Sequence, residues 1–309
     1  MPSLILACKQ FSSVSAETNE SHFKAVTRVV DTMKSELNRT LSIHDMSRIA
    51  YISPYHFIRV FHRITGVSPW RFHWALKLNA AKAMLVSTQM SIIDISMEVG
   101  YRSFGTFARR FAELVGMPPN RFRQLSGTSD ARTFELLASV KNRPPIHDFR
   151  LIGRVNVPCN FHGSLVVACF PTALAQGRPL EFAWADANGC FAMPLPANVD
   201  FYIFAFALPR SGGISPWFTD DLVLRNNEFR SLTNRDFLLK GDCFLNISLR
   251  PKEATDPPIL LSIGTLIEDF AIDRDFSDRL AHVPRSMPAL TSTCRDLRQV
   301  ERRRPHAAF

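Results

Sequence analysis

The sequence contains no CxxC pair. Its six cysteines, Cys8, Cys159, Cys169, Cys190, Cys243 and Cys294, are scattered singly. Such spacing supports neither a zinc site nor a disulfide framework, and lone thiols fit a reducing cytoplasm. No apolar run approaches the roughly 18 residues that a helical membrane span requires, so no membrane partner is expected. The opening "MPSLILAC" is apolar but short, and no basic residue precedes it. It reads as a start segment or early packing element rather than a secretory signal. There is no GxSxG elbow and no phosphate-binding loop. His147, His162 and His282 stand alone, and His44, His56, His62 and His73 lack ligand-like spacing. The latter four read as surface or groove residues. No catalytic centre, metal or cofactor is therefore expected.

What is present points elsewhere. The chain has 309 residues, 46% of them hydrophobic and 21% charged, which suits about two globular domains. The net charge is +9 and unevenly placed. Residues 20–126 hold 15 Lys and Arg against 7 Asp and Glu, residues 127–284 hold 15 against 18, and residues 285–309 hold 6 against 2. The excess sits in one segment of about a hundred residues and in the tail, which implies a polyanionic partner.

Residues 57–72, "FIRVFHRITGVSPWRF", are echoed by residues 107–122, "FARRFAELVGMPPNRF". Between 43–72 and 93–122, ten pairs are identical at offset 50: Ile43/Ile93, Tyr51/Tyr101, Ser53/Ser103, Phe57/Phe107, Arg59/Arg109, Phe61/Phe111, Gly66/Gly116, Pro69/Pro119, Arg71/Arg121 and Phe72/Phe122. This is an internal duplication of one supersecondary unit. In the first copy Ile43, Met46, Ile49 and Ala50 recur at helical spacing behind Ser42, an N-cap supported by Asp45. A break at Tyr51-Ile52 follows. Ser53 then caps a second helix with Pro54 at its first position, an apolar stripe of Phe57, Val60, Phe61 and Ile64, and Gly66 as its stop. The second copy repeats this with Ile92, Ile93, Ile95, Ser96 and Val99, a turn at Gly100, a cap at Ser103, Phe107, Phe111 and Leu114 inside, and Gly116. A short helix, a tight turn and a second helix with an exposed polar face make a helix-turn-helix.

The connector from Trp70 to Val86 is rich in Ala and Leu, without interior Gly or Pro. As one helix it spans about 26 Å and could hold two reading helices in successive major-groove segments, roughly 34 Å apart. Ahead of the pair, Phe23, Val26, Val30, Met33 and Leu37 predict a supporting helix. Residues 20–126, and above all "GYRSFGTFARRFAELVGMPPNRFR", resemble the DNA-binding domain of the AraC/XylS transcription regulators. The resemblance implies a seven-helix domain with two helix-turn-helix subdomains and recognition helices at 53–65 and 103–115.

With Phe57, Phe61, Phe107 and Phe111 facing inward, Tyr55, Ile58, Arg59 and His62 remain for the groove in the first helix. Phe104, Gly105, Thr106, Ala108 and Arg109 remain in the second. The resemblance implies base contacts at Tyr55, Ile58, Arg59, Phe104, Gly105 and Arg109. Arg59 and Arg109 suit a bidentate contact to guanine O6 and N7, and Ile58 suits either a thymine methyl or plain packing. Phe104 and Gly105 offer little hydrogen bonding, so the second helix leans on shape and phosphate. Ser53, Arg63, Lys77, Arg102, Ser103 and Arg110 are the expected phosphate contacts.

Residues 127–145 read as a linker, with a short helix around Phe134–Val140. Thereafter "FRLIGRVNV", "SLVVACF", "EFAWADANGCFAMPLP", "DFYIFAFALP" and "CFLNISLRP" read as strands, with a hairpin turn at Asp186–Gly189. Together they predict an all-β antiparallel sandwich over 146–270, similar to the carboxypeptidase-regulatory-like sandwich. "ILLSIGTLIEDF" fits strand or helix, and 271–309 reads as a basic, solvated tail. The expected architecture is thus multidomain: an N-terminal segment (1–19), an all-α tandem helix-turn-helix domain, a linker, and an all-β regulatory or dimerisation domain. Here the β domain follows the DNA-binding one, which sets the chain apart from a cupin-type sugar sensor. The expected function is a bacterial, cytoplasmic, sequence-specific regulator of transcription, an activator that binds double-stranded DNA and recruits RNA polymerase. A small-molecule effector and a homodimer are the partners a β domain could add. Two rivals remain. A DNA alkyl-transfer repair protein needs a reactive cysteine beside a histidine, whereas Cys159 lies between Pro158 and Asn160, with His162 three residues on. An architectural DNA binder would show no sequence preference.

Overall fold

The computed structural model describes residues 3–127, 150–157, 161, 163–194, 200–209, 224–225, 231–232 and 243–262. The expected linker helix near Phe134–Val140, the tail 271–309, Cys159, His147, His162 and His282 lie outside these residues.

Among the described residues seven helices come first: α1 (Ser3–Ser35), α2 (Ile43–Ala50), α3 (Pro54–Thr65), α4 (Pro69–Ser87), α5 (Ile92–Glu98), α6 (Phe104–Val115) and α7 (Pro119–Gly127). The supporting helix is longer than the apolar spacing indicates and runs without a break through the opening segment. Its buried face is Ala25, Val26, Val29, Val30 and Met33, while Phe23 is exposed. The connector is α4, about 28 Å long at about 1.5 Å per residue. It is more than a rod, since it packs against α1, α3, α5 and α7. It therefore buries residues on most of its sides, Phe72, Ala75, Leu76, Leu78, Ala81 and Leu85 among them, as a helix at the centre of a core must.

The duplication is visible as packing. Phe57, Phe61 and Phe72 meet edge to face at 5.5 and 5.4 Å between ring centroids. Phe107, Phe111 and Phe122 repeat the cluster at 5.6 and 5.5 Å. All six rings are fully buried, so truncating any one to Ala should cost about 3–5 kcal/mol. Gly66 and Gly116 close α3 and α6 in the left-handed conformation, at φ 74 and 95.

Two of the ten sequence pairs are not equivalent in space. In the first helix of each unit the match runs at offset 49, not 50. Ser42 caps Asp45 N–H as Ser91 caps Asp94 N–H, and both hydroxyls bond the aspartate at 2.7 Å. The left-handed residue of the turn is Tyr51 (φ 57) in one unit and Gly100 (φ 78) in the other. Ile52 N–H and Tyr101 N–H bond the Ser47 and Ser96 carbonyls respectively. The second unit thus carries one extra residue before its recognition helix. Ile93 consequently lies 53% exposed instead of in the core, and Tyr101 is buried while Tyr51 is 85% exposed. Ser53 departs from expectation too: it is the N-cap residue of α3, but its side chain makes no cap bond.

The strands are β1 (Arg150–Asn156), β2 (Gly163–Phe170), β3 (Glu181–Trp184), β4 (Cys190–Pro194), β5 (Phe201–Pro209), β6 (Leu224–Arg225), β7 (Ser231–Leu232), β8 (Cys243–Ser248) and β9 (Arg250–Pro251). Among the described residues they form two small sheets, one ordered β4-β1-β8 and the other β3-β2-β5-β6-β9 with β7 beside β5. Leu151, Val155, Phe191, Met193 and Ile247 of the first share one core with Leu165, Val167, Cys169, Phe201 and Ile203 of the second. Two expectations are corrected. The arrangement is not wholly antiparallel, because β1 and β8 pair in parallel from Leu151–Cys243 to Asn156–Ser248. Asp186–Gly189 forms the expected tight turn, but β3 and β4 belong to different sheets. The Asp186 carboxylate accepts from Asn188 N–H and Cys190 N–H, both at 2.8 Å, and Gly189 O accepts from Val155 N–H of β1 at 2.8 Å. The turn therefore docks on β1 and passes the chain from one sheet to the other. Ile259–Ser262, left open between strand and helix, belongs to neither.

Candidate nucleic-acid interface

In α3 the residues facing away from the phenylalanine cluster are Tyr55, Ile58, Arg59 and His62, all exposed. In α6 they are Phe104, Gly105, Thr106 and Arg109, also exposed, with Ala108 half-buried. The division follows from helical periodicity: residues at i, i+4 with Phe on the inner face leave the intervening positions outward. Tyr55 is 76% exposed, and Ile58 and Phe104 are exposed as well, so each face presents apolar surface beside its arginine. Pro54 at the start of α3 and the cap of Thr106 N–H by Ser103 Oγ at 3.5 Å on α6 fix where each helix begins, and hence which side chains lead.

The flanking cations behave differently from one another. Ser53, Arg102 and Ser103 are exposed. Arg63 is exposed but tied to α1, its Nη2 donating to His22 Nδ1 at 3.0 Å. Since that nitrogen accepts, His22 Nε2 carries the proton and faces His56 Nε2 at 3.4 Å. Burial first, then the charges of Arg63 and His56, hold the His22 pKa below its ordinary value. Arg110 is half-buried, its guanidinium 4.3 Å over the Trp74 ring. Lys77 is a correction. It is only 1% exposed, 5.5 Å from the Trp74 ring centroid, so its ammonium is not at the surface for a phosphate, and burial lowers its pKa. His73 is likewise fully buried rather than on the surface or in a groove. Apolar residues fall on most sides of α4 instead of along one stripe, and this signal of a helix covered all round could have placed both residues inside.

Sequence reasoning missed the Arg63–His22–His56 chain and the contact of Arg28, 5.2 Å over the Tyr51 ring. Arg28 also donates to the Ile49 carbonyl at 3.1 Å. These pairs are separated by more than twenty residues, and only the length of α1 brings them together.

A family model described as a helix-turn-helix domain matches residues 46–125. Among curated proteins, the melibiose operon regulatory protein of Escherichia coli K12 is 26% identical over 36% of this chain and 39% of its own. The bifunctional transcriptional activator/DNA repair enzyme AdaA of Bacillus subtilis is 28% identical over 38% of this chain and 56% of its own. This segment is a helix-turn-helix domain. The match covers from two fifths to little more than half of those two relatives' own length. A solved AraC-type transcriptional regulator from Chromobacterium violaceum is similar at 24% identity and a TM-score of 0.31, covering 33% of this chain and 92% of that one. The matched segment holds α3 through α6 whole. Among the described residues no cluster of three His, Cys, Asp or Glu could hold a metal, and no helix is long and apolar enough to cross a membrane.

Proposed function

We propose that this protein is a sequence-specific regulator of transcription that reads two successive major-groove segments of a promoter, α3 in one and α6 in the next. The observation that carries this reading is the repeated inside-out division of the two helices. Each buries a phenylalanine cluster and turns an arginine, Arg59 or Arg109, to solvent, and α4 spaces them within a helix-turn-helix domain. Arg59 and Arg109 take guanine edges, Tyr55, Ile58, His62, Phe104, Gly105 and Thr106 line the grooves, and Ser53, Arg63, Arg102, Ser103 and Arg110 meet phosphates. The protein acts as a cytoplasmic activator with RNA polymerase as its partner. The β region, a sandwich in outline, is the module for an effector, a partner or a second copy of the chain.

The relative AdaA is named as both activator and repair enzyme, so thiol chemistry is the alternative to weigh. Acceptor chemistry needs an accessible thiol of lowered pKa. Cys169 is buried in the sheet core, where burial and the Glu181 charge push its thiol up, and Cys190 is half-buried on β4. Neither supports that chemistry.

Selection of bound duplexes from a random pool tests the proposal. It should return a bipartite site, and affinity for it should fall steeply with salt, with a log–log slope of about −0.9 per phosphate neutralised. Equal affinity for random and selected duplexes would replace the regulator with an architectural binder.

A further inference from the structure

A helix leaves its last four carbonyls without intrahelical partners. At the end of α6 the Gly116 N–H returns to the Ala112 carbonyl at 3.0 Å. Two of the remaining carbonyls are taken by the β region: Gly177 N–H donates to Leu114 O at 2.6 Å and Ser262 N–H donates to Val115 O at 3.1 Å. The two loops that supply these donors are joined, because Leu260 N–H and Leu261 N–H both donate to Ala175 O, at 2.8 and 3.0 Å. The second loop is stiffened from within by the bidentate pair of Arg250 and Asp256, at 2.7 and 2.9 Å, and by Glu253 N–H donating to the same carboxylate.

The helices grip this loop in turn. Lys82 of α4, buried to 1% exposure, donates to the Ile259 carbonyl at 2.9 Å. Lys34 of α1 donates to the Ala254 carbonyl at 3.3 Å. A buried ammonium is costly unless it is bonded, so Lys82 fixes the loop on α4. Gly177 is the closest approach: it stands at φ 65, and a Cβ there would lie 3.0 Å from the Glu113 carbonyl of α6. The end of the first recognition helix closes on itself, with Gly66 N–H on His62 O at 2.8 Å and Thr65 Oγ1 on Phe61 O at 2.9 Å. Among the described residues no hydrogen bond from the β region reaches it.

We infer that the β region is a direct brace for the second recognition helix, with Lys82 and Gly177 as positioning residues that hold α6 in the groove. An event in the β region then reaches DNA more through the second half-site than through the first. This rests on the two-segment reading above.

The test uses the full chain and three duplexes: the selected bipartite site, and versions with the first or the second half-site scrambled. Wild type should lose about tenfold or more in affinity on either scrambling. Lys82→Met and Gly177→Val should keep the loss for the first half-site but show less than about twofold loss for the second, with a cooperative melt retained. If either variant fails to fold, Gly177→Ala takes its place, since it strains the same contact with less bulk. Folded variants that discriminate the second half-site as wild type does would overturn the brace. Variants that lose discrimination at both half-sites together would also overturn it, by showing a general defect. If wild type itself ignores both scramblings, the DNA reading falls, and the brace with it.

Discussion

Lowering the pH from 7 to 4 should cost the fold about 3 kcal/mol through one side chain, His73. It is fully buried on α4. Its Nε2 lies 3.2 Å from the Arg39 carbonyl, which can only accept, so Nε2 carries the proton and Nδ1 does not. No hydrogen-bond partner faces Nδ1 among the described residues. Burial, and after it the charge of Lys77, push the pKa from 6.5 down to about 4, against a small opposing effect of the Arg39 carbonyl. The folded state therefore keeps His73 neutral to about pH 4, while the unfolded chain takes up a proton near 6.5. Between those values the unfolded state binds more protons. Stability is complete above 6.5, falls with the pH, and levels off near 4. A gap of about 2.5 pH units at about 1.4 kcal/mol each gives roughly 3 kcal/mol, a large part of the 5–15 kcal/mol or so by which domains are stable. Urea unfolding of wild type and His73→Gln across pH 4–7.5 measures it. Gln offers a donor to Arg39 and does not titrate, and the carboxylates common to both proteins cancel in the difference. The variant should lose about 3 kcal/mol less on acidification. Parallel pH profiles would refute the buried neutral imidazole.

Four further substitutions follow from the geometry. Gly100→Ala places a Cβ at φ 78 within 2.6 Å of the Asn38 carbonyl and should cost about 2–4 kcal/mol in a thermal melt; a shift below the precision of the melt would remove Gly100 from the turn. Arg59→Ala and Arg109→Ala should each weaken binding to a selected site by about 1–3 kcal/mol and relax specificity there, with melts unchanged because both side chains are exposed. Titrations indistinguishable from wild type for both would strip them of base readout. Lys77→Met should leave the salt slope of binding as it is, whereas a slope reduced by about one would mean that the ammonium reaches a phosphate.

Much of this was legible in the sequence because it is local. Caps at Ser42 and Ser103, stops at Gly66 and Gly116, and phenylalanines at helical spacing need only neighbours within a few residues, and the structure has them in place. The five strand-forming runs were legible for the same reason. What was not legible depends on partners far away in the chain. Identity at offset 50 paired Tyr51 with Tyr101, yet the capping bonds run at offset 49, and only hydrogen-bond geometry separates the two registers. Polar residues on a helix read as exposed unless every side of that helix is covered, so Lys77, Lys82 and His73 were hidden by the central place of α4. The parallel pairing of β1 with β8 joins segments some ninety residues apart, and no turn signal between them announces it.

The central claim is that two recognition helices occupy successive grooves on one face of a duplex. Hydroxyl-radical footprinting of the wild-type chain on a selected site tests it most directly. The account predicts two protected segments on the same face, centred about one helical turn, roughly 34 Å, apart. Protection of a single segment, or of none, would contradict it.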